Sequence, residues 1–284
     1  MRVSSDLFPH YSNIYLIPKE QQYTMDFAKM ELKNIGDYAK QNNMRLTMHP
    51  GQYNVIATLD EKIFKRTIAD LQMHADILDY MGLDENSIMI IHGGGTYGDK
   101  DKTILRWIEN YRSLNNSIKN RLVLENCEKN FSIIDCLRIS EETGISVVFD
   151  SHHFNCFKKY HPEEKFDDIR FYIKAAMETW IRKGLRPKFH ISEQEPEKAV
   201  GAHSQYVRKI PVYFLEIPEK YSIGIDLMVE AKGKEAAVIY LYKKYKKQLL
   251  GHIPSKDILE DFFEIDKKNM QAKKCSKCDL ICEI

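Results

Sequence analysis

The chain has 284 residues, 43% of them hydrophobic, and a formal charge of +1 at neutral pH, which describes an ordinary globular protein with a sizeable core. No apolar run approaches the roughly 20 residues that cross a bilayer, and residues 1–6 lack the apolar core of a signal peptide, so we expect an intracellular protein with no membrane partner. The spacing of the six cysteines excludes a secreted disulfide scaffold, and the small net charge means that any nucleic-acid partner must be held by a local basic patch.

Taken in order, the chain alternates between strand-like apolar runs and segments with helical spacing of apolar residues. The predicted strands are residues 1–4, 45–48, 87–91, 121–124, 145–150, 187–192 and 225–229. The predicted helices are residues 20–42, 61–81, 102–119, 132–143 and 163–182. Strict alternation of this kind predicts a parallel sheet covered by helices.

Nearly every predicted strand has an acid or an imidazole at or near its carboxyl end. A doubly wound sheet would concentrate such residues at one switch point, whereas a closed barrel builds its site from the ends of many strands. The sequence therefore predicts an α/β fold of the TIM (β/α)8 type.

The stretch from Ile145 to Phe154 shows this pattern most clearly. An apolar run ends in Asp150, His152 and His153, which offer the oxygen and nitrogen ligands of a hard or borderline metal ion. A second interpretation is that Asp150 caps the next helix and the histidines line a loop. The repetition of the pattern at other strand ends favours the metal site.

The candidate metal ligands outnumber the coordination positions of one ion. They are His49, His92, Glu125, Asp150, His153, His190 and Glu230 at strand ends, with His203 in a following loop. Zinc or manganese takes about four to six ligands, so this set predicts at least two ions with a carboxylate such as Glu125 bridging them. Neighbouring divalent ions suit phosphodiester hydrolysis, because they activate water and stabilise both the entering and the leaving oxygen.

The ordered set of motifs resembles the UV damage endonucleases, relatives of endonuclease IV, over residues 2 to about 238. The matching pieces are Ser4–Pro9, His49–Tyr53 (His-Pro-Gly-Gln-Tyr), His92-Gly-Gly, Leu124–Asn126, Asp150-x-x-His153, Pro187-Lys188-x-His190 and Glu230–Glu235. The resemblance implies a metal-dependent DNA repair enzyme that nicks double-stranded DNA 5′ to UV photoproducts, and often to abasic sites, leaving a 3′ hydroxyl. No obligate protein partner is evident.

The resemblance also implies roles for individual residues, with Mn²⁺ as the usual family cofactor at two or three positions per chain. The implied groups are His49, His92 and Glu125 for one ion, Glu125, Asp150, His190 and Glu230 for a second, and His153 with His203 for a third. Lys188 matches a lysine that can be carboxylated and drawn into the metal cluster, so Glu125 and Lys188 are the candidate catalytic residues. Gln52 and Tyr53 match residues that probe the duplex at the lesion.

Several alternative interpretations remain open. Lys188 could be a buried salt-bridge lysine, and Tyr53 could be a packing residue. An abasic-site endonuclease of the endonuclease IV type would share every metal ligand, and an inactive DNA-binding remnant would share the fold. A metal-dependent sugar isomerase is less favoured, because it has no use for His49, His92, His153 and His203.

Both ends of the chain depart from the family pattern. The resemblance begins at what would be the second strand, so we expect a barrel that is incomplete at the N-terminus and lacks the first strand and helix. We expect residues 1–255 to form the endonuclease domain and residues 256–284 to form an appended tail. The apolar residues of this tail, from Ile258 to Ile265, would cover part of the gap, and its three cysteines, Cys275, Cys278 and Cys282, make half of a zinc motif.

Overall fold

The structure is a computed structural model that describes residues 1–13, 15–245 and 249. The strands are β1 (Arg2–Val3), β2 (Thr47–Met48), β3 (Met89–His92), β4 (Leu122–Glu125), β5 (Ser146–Asp150), β6 (Lys188–Ile191) and β7 (Asp226–Val229). They form one seven-stranded parallel sheet whose order is the order of the sequence. The predicted α/β barrel-type fold is confirmed, with β1 and β7 as the two edge strands.

Helices follow the strands and cover the sheet. They are α1 (Lys29–Gln41), α2 (Glu61–Tyr80), α3 (Lys100–Ser113), α4 (Asn116–Arg121), α5 (Ile133–Thr143), α6 (Ser151–Tyr160), α7 (Ile169–Ile181), α8 (Val212–Leu215), α9 (Ile217–Tyr221) and α10 (Lys234–Lys244). Most strand–helix connections place a polar side chain at the start of the helix. Asp60, for example, accepts hydrogen bonds from the backbone of Lys62 and Ile63 at the start of α2, which satisfies donors that the first turn leaves free.

An apolar layer fills the inner face of the sheet below the strand ends. Ile90, Val123 and Val148 pack together there with Trp180, and each precedes a polar strand-end residue by two positions. Because side chains alternate along a strand with period two, residues two apart point to the same face. The polar strand ends therefore stand directly above this apolar layer, which we call the apolar floor.

Three predicted helices have different limits in the structure. The predicted helix 20–42 begins only at Lys29, because Thr24 donates a hydrogen bond to the Asp26 carboxylate at 2.8 Å and local polar pairing competes with the helix. The predicted helix 102–119 is two helices, since the Asn115 side chain accepts a hydrogen bond from Ile118 and starts α4. The predicted helix 163–182 starts after Asp168, which caps α7.

The segment 151–160, for which no helix or strand was predicted, is the helix α6, so His152 and His153 lie in a helix and not in a loop. The predicted domain boundary at residue 255, the tail from Lys256 and the cysteines Cys275, Cys278 and Cys282 lie outside the described residues. Among the residues that the structure describes, no helix has the length and the apolar character needed to span a membrane.

Candidate metal centre

Parallel pairing brings the polar strand ends together at one edge of the sheet. His92 pairs with Glu125 across β3 and β4, and Asp150 pairs with His190 across β5 and β6. Two further predicted ligands directly follow β2 and β7, namely His49 and Glu230. Because all strands run in the same direction, their carboxyl ends face one shared cavity.

The Glu125 carboxylate lies at the centre of this group and is 0% exposed. Its Oε2 atom lies 3.2 Å from Nε2 of His49 and 3.7 Å from Nε2 of His92. Its Oε1 atom lies 2.8 Å from Nδ1 of His190 and 3.6 Å from Nδ1 of His153. The two oxygens of one carboxylate therefore face two different sets of imidazoles.

Asp150 both caps a helix and faces the cavity. Its Oδ1 atom accepts hydrogen bonds from the backbone amides of His152 at 2.7 Å and His153 at 2.8 Å. The Asn126 side chain accepts from the Asp150 amide and donates to the Asp150 carbonyl oxygen, which fixes the backbone at the end of β5. The capping interpretation is thus correct, and it uses only one of the two carboxylate oxygens.

The remaining predicted ligands lie on one side of Glu125. The rings of His153 and His203 are 6.1 Å apart, and Nδ1 of His203 lies 3.9 Å from a Glu230 oxygen. The His152 ring lies 5.5 Å from that of His203 and contacts the Cys156 sulfur at 3.6 Å. All eight predicted metal ligands are therefore part of one connected cluster, to which His152 is adjacent.

Two of the three acidic residues of the cluster, Glu125 and Glu230, are held in their ionised form. Burial alone would raise the pKa of Glu125, but the charges of His190 and His92 and a hydrogen bond from His190 hold it well below the ordinary value. Burial would also raise the pKa of Glu230, but neighbouring charges, chiefly that of His190, lower this pKa to about 2. Both carboxylates are thus available as anionic oxygen ligands.

The imidazoles of the cluster differ in the direction in which their pKa values shift. Burial lowers the pKa of His92, which favours the neutral ring. Burial also acts to lower the pKa of His153, but the charges of Asp150 and Glu125 outweigh it and raise this pKa to about 9. A cation that binds beside His153 must therefore displace a proton.

The donor atoms fit a metal ion. His49, His92 and Glu125 each offer a ligand atom within 4.8 Å of the others, and so do Glu125, Asp150 and His190. In the described part of the chain, the Asp150 Oδ2 and His190 Nε2 atoms are buried without a hydrogen-bond partner. Buried polar atoms without partners are rare in proteins, and an ion that they coordinate would remove their desolvation cost.

Lys188 lies at the level of the apolar floor, below the predicted ligands. It lies two positions before His190 in β6, at the place that Ile90, Val123 and Val148 occupy in their own strands. Its side chain is buried, and this burial, aided by the positive charge of Arg45, lowers the pKa of Lys188 to about 7. The alternative of a salt-bridge lysine finds no support among the described ion pairs, none of which includes Lys188.

Gln52 and Tyr53 form the middle of a tight turn that follows His49. The backbone amide of Asn54 donates a hydrogen bond to the Gly51 carbonyl oxygen at 3.0 Å, which closes this turn. Both central side chains are exposed, and Tyr53 is 65% exposed. Tyr53 is thus not a core packing residue, and the turn presents both side chains at the carboxyl-end face of the sheet.

Two residues that support the cluster were not predicted from the sequence. Arg2, in β1, donates a hydrogen bond to the Glu230 carboxylate, and Asn126 fixes the end of β5. Asn126 could have been found from its place directly after Glu125 at a strand end. Arg2 could not, because its contact depends on the curl that brings the two edges of the sheet close together.

Comparison with known proteins places the chain among DNA repair nucleases. The model of a family described as UV-endonuclease UvdE matches residues 1–256. The UV DNA damage endonuclease of Bacillus velezensis is 32% identical over 244 residues, which cover 84% of this chain and 74% of that protein. The UV-damage endonuclease of Schizosaccharomyces pombe is 39% identical over 257 residues, which cover 87% of this chain but only 41% of that protein.

Solved structures give the same result for the fold. The crystal structure of SacUVDE superposes with a TM-score of 0.74 at 34% identity, covering 87% of this chain and 79% of that one. Endonuclease IV from Thermus thermophilus superposes with a TM-score of 0.52 at 11% identity, covering 80% of this chain and 83% of that one. The second likeness shows a shared fold alone.

Proposed function

This chain belongs to the UV-endonuclease UvdE family of DNA repair hydrolases, and from that membership we propose that it nicks double-stranded DNA 5′ to UV photoproducts, leaving a 3′ hydroxyl. The observation that carries the proposal is the buried Glu125 carboxylate with imidazoles on both of its oxygens, at the carboxyl ends of parallel strands. Abasic sites are a second proposed substrate.

We propose that the cluster holds two or three divalent ions, with Mn²⁺ as the first candidate. The mixture of carboxylate oxygens and imidazole nitrogens supports an ion of intermediate hardness. The proposed groups are His49, His92 and Glu125, then Glu125, Asp150, His190 and Glu230, then His153 with His203. Such ions, when bound, supply Lewis acidity and activate water for attack on phosphorus.

Glu125 is the proposed bridging ligand, because its two oxygens face different imidazoles. Asp150 contributes the oxygen that does not cap α6. Arg2 orients Glu230 from the opposite edge of the sheet. These contacts fix the ligands before an ion arrives, which lowers the conformational cost of binding it.

Lys188 is proposed to form a carbamate that joins the cluster. Its amine would attack carbon dioxide at carbon and lose a proton, which leaves an anionic carbamate in place of the amine. The burial of Lys188 in the apolar floor supports this proposal, because a buried amine favours its neutral and nucleophilic form. Mass spectrometry of the intact native protein would detect the mass of one carbon dioxide, and Lys188→Met would remove it.

Gln52 and Tyr53 are the proposed lesion readers. A photoproduct or an abasic site stacks poorly, so it leaves room in the duplex that a planar amide and an aromatic ring can fill. The exposure of both side chains on the turn next to His49 supports this role.

A nicking assay tests the proposal. The protein is incubated with duplex oligonucleotides that carry one cyclobutane dimer, one abasic site or no damage, with Mn²⁺ or with a chelator. We expect a nick 5′ to the dimer that requires the metal. If only the abasic duplex is nicked, the protein is an abasic-site endonuclease instead. If it binds the damaged duplex but nicks none of the three, it is an inactive DNA-binding remnant.

A further inference from the structure

The carboxylate of Asp70 is a buried acid that the metal centre does not use. It lies in the middle of α2 and is 3% exposed. An isolated buried carboxylate is costly, so its partners must compensate for the lost hydration. Those partners come from two separate loops.

The first two partners bind different oxygens of the carboxylate. The Ser12 hydroxyl donates to Oδ1 at 2.6 Å, and the Asn54 side-chain amide donates to Oδ2 at 2.7 Å. On the same helix, Nδ1 of His74 lies 3.5 Å from Oδ2 and 2.6 Å from the Asp70 carbonyl oxygen. Hydrogen bonds to an ionised acceptor are short and about twice as strong as neutral ones.

Asn54 connects Asp70 to the turn that carries Gln52 and Tyr53. The same Asn54 side-chain nitrogen also donates to the Gly51 carbonyl oxygen at 3.0 Å, beside the backbone bond that closes the turn. The Tyr53 ring lies against this turn so closely that a Cβ atom on Gly51 would be 2.3 Å from it. Asp70 therefore holds the end of the turn through one amide.

A second side chain of α2 holds the next residue of the loop. The backbone amide of Val55 donates to the Thr67 hydroxyl at 3.1 Å. Thr67 and Asp70 lie one turn apart on α2, so both face the loop. The loop after β2, residues 49–60, has no regular secondary structure of its own, and these two anchors fix Asn54 and Val55 in its middle.

We propose that Asp70 is a positioning residue for lesion recognition, which holds Gln52 and Tyr53 in the conformation that enters damaged DNA. The inference rests on the proposed function and adds to it a buried residue that does not touch DNA. A pre-formed turn binds more tightly than a mobile one, because less conformational freedom is lost on binding. The carboxylate matters here because Ser12 and Asn54 donate to different oxygens of Asp70, whereas an asparagine at this position would offer only one acceptor oxygen.

A double-mutant cycle tests the proposal. The variants are Asp70→Asn, the pair Gln52→Ala with Tyr53→Ala, and all three changes together. The dissociation constant is measured in Mn²⁺ for a duplex with one cyclobutane dimer and a non-hydrolysable linkage 5′ to it, and for the matched undamaged duplex. We expect Asp70→Asn to weaken binding of the damaged duplex about tenfold and to leave the undamaged duplex unchanged.

The cycle separates positioning from a general structural role. If Asp70 acts through the turn, its replacement has little effect once Gln52 and Tyr53 are alanine. In that background, Asp70→Asn should raise the dissociation constant for the damaged duplex by less than about twofold. The inference is wrong if Asp70→Asn weakens binding of the damaged duplex equally in the parent protein and in the variant with alanine at positions 52 and 53. It is also wrong if Asp70→Asn leaves that binding unchanged. In both cases the proposed function stands. A parent protein that does not distinguish the two duplexes would overturn both.

Two further variants complete the experiment. Asp79→Asn removes another carboxylate of α2, which accepts from Arg121 at 2.6 Å, and should lower stability without changing the preference for damage. Asn54→Ala removes the connection and keeps the Asp70 carboxylate with its Ser12 bond. If Asp70→Asn fails to fold, Asn54→Ala takes its place in the cycle. It must then weaken binding of the damaged duplex about tenfold, and this effect must disappear when Gln52 and Tyr53 are alanine, or the inference is wrong.

Discussion

At the scale of single residues, the candidate centre contains a side chain that caps a helix and still offers a ligand atom. Asp150 is the clearest case, because Oδ1 caps α6 while Oδ2 has no hydrogen-bond partner among the described residues. Capping and metal ligation are therefore compatible, although the sequence analysis treated them as alternatives. The two tasks can be separated by substitution.

Asp150→Asn should keep the helix cap and lose the metal ligand. Asparagine caps helices as well as aspartate, so the metal-free protein should lose less than about 1 kcal/mol of unfolding free energy. Metal affinity should fall by more than about tenfold, because an anionic oxygen is replaced by a neutral amide. Isothermal titration with Mn²⁺ and thermal melts would measure both.

Asp60→Asn is the matched control, since Asp60 caps α2 in the same way away from the ligand cluster. It should leave metal affinity unchanged. Equal metal affinities of Asp150→Asn and the parent protein would exclude Asp150 as a ligand.

Glu125→Gln should abolish nicking and lower the bound metal per chain. The substitution preserves the shape of a side chain that is surrounded by imidazoles but removes the charge that attracts a cation. Elemental analysis after dialysis against Mn²⁺, with the nicking assay, would measure both effects. Glu128→Gln, three residues along the same loop and outside the ligand set, should retain metal and activity. Full metal content in Glu125→Gln would refute the bridging role.

At the scale of elements, strands were easier to predict than helices. An apolar run that ends in a polar residue identifies both the strand and its carboxyl end, so the strand ends at His92, Glu125 and Asp150 agree with the structure. The eight predicted ligands came from the same signal, combined with the ordered motifs. Contacts between distant segments, such as Asn54 with Asp70, have no local signature and could not be predicted.

The helix α1 shows why helical spacing is an incomplete guide. The helix was predicted over residues 20–42 from apolar residues that include Phe27, just before α1, and Met30, and these two are 72% and 73% exposed. Its buried side consists of Leu32, Gly36 and Ala39. Small residues allow two helices to approach closely, and α1 packs through them against the end of α2. The spacing of apolar residues therefore predicted that a helix forms here, but not which of its faces is buried.

Gly36→Ala should therefore destabilise the protein, although alanine is the better helix former by about 1 kcal/mol. A Cβ atom at this position would lie 1.7 Å from the carbonyl oxygen of Met81, so the two helices would have to separate. We expect a net loss of about 2 kcal/mol of unfolding free energy in urea denaturation.

Asn34→Ala, on the exposed side of α1, is the control for helix propensity and should gain about 0.5 kcal/mol. A gain of stability from Gly36→Ala as well would show that the α1–α2 contact is looser than the structure indicates.

At the scale of the whole molecule, side chains rather than backbone hydrogen bonds connect the two edges of the sheet. Strands β1 and β7 each pair on one side only among the described residues. At the carboxyl end, Arg2 of β1 contacts Glu230 after β7. At the amino end, Arg45 before β2 donates to the Asp226 carboxylate at 2.8 Å and to the Arg186 carbonyl oxygen at 2.9 Å. Ionic contacts thus help to maintain the curl that brings the predicted metal ligands together.

Arg45→Met should consequently cost far more than an ordinary surface ion pair. The Arg45 side chain is mostly buried, stacks over Trp180 at 5.4 Å and connects the starts of β2, β3, β6 and β7. Removing it leaves the Asp226 carboxylate with Arg186 alone, at 3.1 Å, and we expect a loss of about 3 kcal/mol of unfolding free energy. Arg112→Met removes the exposed pair with Glu142 and should cost less than about 1 kcal/mol. Urea denaturation of both variants measures the difference, and equal costs would mean that the backbone and the apolar core alone keep the sheet curled.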